Sequence, residues 1–72
     1  MLYPKRKNKT DLKIEKIAKK LGVFTLNDIQ TLMDESITKI LKSLDFLTFR
    51  NIIKKEEENY IIIDNEIVLN LN

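Results

Sequence analysis

The chain has 72 residues, of which 43% are hydrophobic and 33% charged, a composition typical of one folded domain rather than of a disordered segment. It contains neither cysteine nor histidine, which excludes disulfides, thiolate metal sites and the usual proton shuttle of neutral-pH catalysis. No apolar run approaches the roughly 20 residues that span a bilayer. No signal peptide is predicted behind the N-terminal charges, so we expect a cytoplasmic domain.

Basic residues are concentrated near the N-terminus. Residues 1–22 contain eight Lys or Arg and two acidic residues, a net charge of +6, whereas residues 23–72 contain five basic and nine acidic residues, a net charge of −4. The N-terminal part is therefore the expected contact for a polyanion. Residues 1–9 contain Pro4 and few apolar groups, so we predict a basic flexible arm there.

A first helix is predicted after the arm, with Thr10 or Asp11 as its N-cap. Apolar side chains recur at helical spacing along one face of this segment: Ile14, Ile17, Ala18 and Leu21. Lysines occupy the opposite face: Lys13, Lys16, Lys19 and Lys20. Gly22, the one glycine of the chain, is predicted to end the helix in the left-handed region.

A second helix is predicted from a stronger start signal. Thr25 and Asp28 have the spacing of a capping box, and Phe24 and Ile29 stand where a hydrophobic staple packs. The apolar stripe of this short helix contains Leu26, Ile29, Leu32 and Met33. Residues 23–25 are predicted to add a short strand before it.

A third helix and a β-hairpin follow. The helix is predicted from about Glu35 to Phe46, and its inward stripe is expected to contain Ile37, Ile40, Leu41 and Leu44. Residues 49–54 and 60–64 are rich in Ile and aromatic residues and are predicted strands, joined by a charged loop over residues 55–59. We expect the Tyr60 ring to pack against the domain, and residues 67–71 to form a further short strand.

This order of elements resembles the winged helix-turn-helix superfamily over residues 11–64. Residues 24–29 are similar to its positioning helix, residues 36–44 to its recognition helix, and residues 50–54 and 60–63 to its wing. The glycine that usually ends the recognition helix is replaced around Thr48. The resemblance implies an α+β fold, a three-helix winged helix-turn-helix with a C-terminal β-hairpin wing, over residues 10–64. Residues 65–72 are then a C-terminal strand or tail.

The resemblance implies sequence-specific or structure-specific binding of double-stranded DNA by a small transcription regulator, with the third helix in the major groove. The predicted DNA contacts come from the arm, the third helix and the wing: Lys5, Arg6, Lys7, Lys9, Ser36, Thr38, Lys39, Lys42, Arg50 and Lys54. A homodimer that pairs through residues 67–71 is expected. We expect no enzyme activity, cofactor, metal, membrane association or small-molecule substrate.

The distribution of acidic residues favours an alternative. Asp34 and Glu35 stand at the start of the third helix, and Glu56, Glu57 and Glu58 stand at the tip of the predicted wing. Carboxylates at these two places would repel phosphates. The alternative is therefore a winged helix that serves as a protein–protein interaction module in a replication, transcription or mobile-element complex.

Overall fold

The structure is a computed structural model and describes residues 6–63. Its elements, in chain order, are the helix α1 (Lys9–Leu21), the strand β1 (Val23–Thr25), the helices α2 (Leu26–Leu32) and α3 (Ile37–Phe49), and the strands β2 (Ile53–Glu56) and β3 (Asn59–Ile62). The strands form one antiparallel sheet in the order β1-β3-β2. This confirms the predicted α+β fold class and is consistent with a winged helix-turn-helix.

The sheet holds the hairpin against the helices. In β1, Phe24 pairs with Tyr60 of β3, and their rings stack with centroids 5.6 Å apart and planes at 16°. Both residues are buried, which confirms the predicted packing of Tyr60. No helix within residues 6–63 has the length and apolar character needed to cross a membrane.

The helix α1 begins earlier than predicted. Asn8, rather than Thr10 or Asp11, is its N-cap: the Asn8 side chain accepts from the Asp11 N–H at 2.8 Å, and the Asp11 carboxylate accepts from the Asn8 N–H at 2.9 Å. This reciprocal capping box places Lys9 in the first turn of the helix. At the other end, Gly22 has φ +79° and donates its N–H to Ala18, which confirms the predicted helix end.

The start of α2 agrees with the sequence. The Thr25 hydroxyl accepts from the Asp28 N–H at 3.2 Å, and the Asp28 carboxylate accepts from the Thr25 N–H at 2.9 Å. The predicted capping box is therefore confirmed. Within the helix, Ile29 is buried but Leu32 is 58% exposed, so the prediction of Leu32 as part of the inward stripe was wrong.

The inward face of α3 differs from the predicted one. Ile40 and Leu44 are buried as expected, but Ile37 is 47% and Leu41 is 41% exposed. Leu47 is fully buried and completes the inward stripe, which is rotated around the helix relative to the predicted one. The prediction that Ile37 and Leu41 point inward was therefore wrong, as was the same expectation for Leu21 of α1, which is 46% exposed.

Asn51, rather than a glycine, ends α3. Its φ of +64° lies in the left-handed region, which Asn tolerates better than most residues. The Ile52 N–H donates to Leu47 and the Asn51 N–H to Thr48, both at 3.0 Å, which is the bonding of a Schellman motif. The helix predicted to end at about Phe46 runs to Phe49, and the strand predicted from residue 49 begins at Ile53.

The core lies between α1, α3 and the sheet. Its buried apolar side chains are Ile14, Ala18, Phe24, Ile29, Ile40, Leu44, Phe46, Leu47, Ile52, Ile53 and Tyr60. In α1, the buried Ile14 and Ala18 lie on the face opposite the lysines. The helix surface that carries the lysines is therefore turned away from the core.

The hairpin turn contains a strained residue, and we expect Glu57→Gly to stabilise the domain. Glu56 pairs with Asn59, so Glu57 and Glu58 form the turn, and Glu57 has φ +56°. Glycine adopts this conformation without the steric cost of a Cβ, so the free energy of unfolding in urea should rise by about 0.5–1 kcal/mol. The matched control is Glu58→Gly, which removes the same charge from a residue without positive φ. A gain in the control as large as that in Glu57→Gly would contradict the strain.

Candidate nucleic-acid interface

One face of α1 carries a line of exposed lysines: Lys9, Lys13, Lys16 and Lys20. At 3.6 residues per turn these four positions fall within an arc of about 60° and extend about 16 Å along the helix. These four side chains are the lysine row. Among residues 6–63 none of them forms an ion pair. The row is therefore a concentrated positive surface that faces solvent.

Two other basic residues of this region form ion pairs with Glu15. Its carboxylate lies 2.7 Å from the Lys7 Nζ and 3.1 Å from the Lys19 Nζ. Burial raises the pKa of Glu15, but the two lysines outweigh this effect, so the pKa lies below its ordinary value. Lys7, a predicted arm contact, is thus held against α1, and neither Lys7 nor Lys19 belongs to the lysine row.

We expect Glu15→Gln to destabilise the domain at neutral pH by about 1–2 kcal/mol, between the values typical of exposed and of buried ion pairs. Because the pKa of Glu15 is lowered by folding, its contribution is complete above the ordinary value of 4.5 and is lost as the pH falls through the folded-state value. Urea unfolding of both proteins at successive pH values checks this. A stability difference that stays constant down to strongly acidic pH would contradict it.

The lysine row adjoins the connection between α2 and α3. Lys13, Lys16 and Ile17 line one side of a groove of about 270 Å³, and residues 32–34 line the other. This connection leads directly into the first turn of α3. Asp34 is one of the lining residues, so its carboxylate partly offsets the positive charge at this point.

The outward face of α3 combines polar and apolar side chains. Three predicted contacts, Thr38, Lys39 and Lys42, are exposed there. Ser36 is exposed too and acts as the N-cap, since its hydroxyl accepts from the Lys39 N–H at 3.3 Å. Ser43 is only 3% exposed, because it lies within the inward face of α3.

The hairpin of β2 and β3 is less basic than predicted. Lys54 is exposed, but its Nζ lies 2.9 Å from the Glu56 carboxylate. Arg50 is not on a strand: it is the C-cap of α3, is 7% exposed, and its guanidinium lies 5.5 Å from the centre of the Phe46 ring. The prediction that Arg50 points outward beside the wing was therefore wrong. No group of acidic residues within residues 6–63 is arranged to hold a metal ion.

The sequence located most of the lysine row but left Lys9 in the arm. The capping box of Asn8 and Asp11 is the signal that would have placed Lys9 on α1. Of the remaining predicted contacts, Arg6 is exposed, whereas Lys5 lies outside the described residues. The predicted pairing strand at residues 67–71 lies outside them as well.

No protein-family model and no curated protein matches this chain. Its fold is similar to that of a DNA-binding protein from Sulfolobus islandicus, known from a solution structure, with a TM-score of 0.77. The likeness covers 82% of this chain and 100% of that protein at 19% sequence identity. It shows that the two chains share an architecture of three helices and a small antiparallel sheet.

Proposed function

We propose that this domain binds double-stranded DNA, as a binding module rather than an enzyme. The lysine row contacts the phosphate backbone, and the first half of α3 enters the major groove. The observation that carries the proposal is the row itself: four exposed lysines on one helix face, without ion pairs among residues 6–63, beside the connection that leads into α3.

Electrostatics favour a nucleic acid over a folded protein as the partner of the row. Lysines that neutralise phosphates release condensed counterions, and this sequence-independent effect supplies much of the affinity of DNA-binding proteins. In helix-turn-helix proteins residues at the start of the recognition helix contact bases, while contacts from other elements to phosphates fix the orientation of the protein on the duplex. A row that adjoins the start of α3 suits one duplex spanning both surfaces. A similar fold in a DNA-binding protein supports this assignment.

A regulator acting on paired half-sites is the finer form of the proposal. One helix of 13 residues offers only a few side chains to base edges, so two copies would double the length of DNA that is read. We therefore propose a homodimer that regulates transcription. Sedimentation of the free protein and of its DNA complex gives the stoichiometry directly.

Fluorescence anisotropy of a labelled duplex, titrated with the full chain at several salt concentrations, tests the proposal. We expect binding that weakens steeply as salt rises, and a further loss of affinity for Lys42→Ala. A single-stranded oligonucleotide of the same sequence is the control for general attraction to polyanions. Absence of binding to the duplex at high micromolar protein and low salt would contradict the proposal.

A second candidate function is that of a protein-interaction module. Features at the C-terminal end of α3 favour it. Phe49 is 52% exposed there, Asp45 is exposed beside it, and the turn of the hairpin carries Glu57 and Glu58. An exposed apolar side chain beside a carboxylate suits a basic protein surface. Capture of one protein partner that nuclease treatment does not release would favour this candidate, and recovery of nucleic acid alone would count against it.

A further inference from the structure

The first half of α3 exposes an apolar strip. Ile37 is 47% and Leu41 is 41% exposed, and they stand one turn apart at positions i and i+4, where side chains are neighbours. Thr38, with its own methyl group, is exposed beside them. Ile37 and Leu41 are not part of the core, because Ile40, Leu44 and Leu47 fill the inward face of the helix.

Positive charge lies next to this strip. Lys42 is exposed one residue after Leu41, whereas Lys39 lies about 160° around α3 from both Ile37 and Leu41, with its Nζ 3.9 Å from Glu35. The lysine row lies across the connection that precedes α3. A ligand that complements the apolar strip and the neighbouring lysines has anionic edges with apolar groups between them. The major groove of DNA has both, since thymine presents a C5-methyl group there between the two phosphate backbones.

We infer that Ile37 and Leu41 contact thymine C5-methyl groups, so that the domain selects major-groove sites in which A·T pairs present thymine methyls to the strip. This inference rests on the proposed function and adds the chemical class of base that α3 selects. Thymine is the only base with an apolar group on its major-groove edge, so the methyl is what branched aliphatic side chains can distinguish. Thr38 and Lys42 then provide polar contacts to neighbouring base edges or phosphates.

Replacement of thymine by deoxyuridine tests the inference, because it removes the methyl while base pairing and backbone charge stay the same. We expect the wild-type chain to bind an A·T-rich duplex about five- to tenfold more tightly than its deoxyuridine counterpart, as for two methyl contacts. The comparison uses anisotropy at one fixed salt concentration. A G·C duplex with and without 5-methylcytosine is the control, since 5-methylcytosine adds a methyl group in the major groove.

The variant Ile37→Ala/Leu41→Ala assigns the preference to the strip. It should bind the thymine duplex about five- to tenfold more weakly than the wild type and no longer distinguish thymine from deoxyuridine. Phe49→Ala, which removes an exposed apolar side chain from the other end of α3, should keep the preference. Circular dichroism verifies that each variant is folded.

Equal affinity of the wild type for the two duplexes would overturn the inference while leaving DNA binding intact. A double variant that still prefers thymine would overturn it as well. Loss of self-association in the double variant, with its thymine preference unchanged, would also overturn the inference, because the strip would then bind protein rather than DNA. Failure of the proposed function has a different signature, because neither duplex would then be bound.

Discussion

Replacing Lys13 and Lys16 by alanine is expected to weaken DNA binding roughly 30-fold at physiological salt. Each lysine–phosphate contact contributes about 0.9 to the slope of log affinity against log salt, so the slope should become shallower by about 2. Both side chains are exposed on the lysine row and line the groove that leads toward α3. Alanine keeps the helix propensity of α1, so the variant tests charge rather than folding.

The matched control for this variant is Lys54→Ala/Lys55→Ala, which removes the same charge from the hairpin. Lys54 is paired with Glu56, and the Lys55 Nζ lies 5.7 Å from the centre of the Tyr60 ring. We expect the salt slope of this control to stay within about 0.5 of the wild-type value. Equal losses in the two double variants would mean that net charge matters and the lysine row does not.

Leu44→Ala is expected to lower the free energy of unfolding by about 2–5 kcal/mol, because it removes three carbon atoms from a filled core. Leu44 is 1% exposed on the inward face of α3, between α1 and the sheet. Total stabilities of small domains are about 5–15 kcal/mol, so this loss would bring the domain close to unfolding. Urea unfolding followed by circular dichroism measures it.

Leu41→Ala provides the comparison on the same helix. Leu41 is 41% exposed, so its replacement should cost less than about 1 kcal/mol. The two substitutions are chemically identical and stand three residues apart, so their difference reports only which side of α3 faces the core. Equal costs would contradict the orientation of α3 and, with it, the outward position of Ile37 and Leu41.

The orientation of α3 was predicted wrongly from the sequence. Ile37, Ile40, Leu41 and Leu44 form an uninterrupted apolar stripe, so periodicity favours them as the inward face. The observed stripe uses Leu47 and accepts Ser43 within it. Tertiary packing against α1 and β2 decides between the two, and a local pattern does not contain that information.

Elements with a local cause were predicted well. The capping box of Thr25 and Asp28 and the helix end at Gly22, with its positive φ, depend on a few neighbouring residues, and both are confirmed. Arg50 was misplaced because its environment depends on where α3 ends, and the left-handed Asn51 sets that point instead of a glycine. The exposed lysines of α1 were easier to predict, because lysines on one helix face follow from the period of the helix alone.

Nuclear magnetic resonance of the ¹⁵N-labelled chain, titrated with duplex DNA, tests the central claim most directly. We expect the largest shift changes at the amides of α1 that carry the lysine row and at the first half of α3, around Thr38 and Lys42. The hairpin turn at Glu57 and Glu58 should change little. Changes confined to the hairpin and the Phe49 end of α3, with α1 unaffected, would contradict the lysine row as the DNA-binding surface.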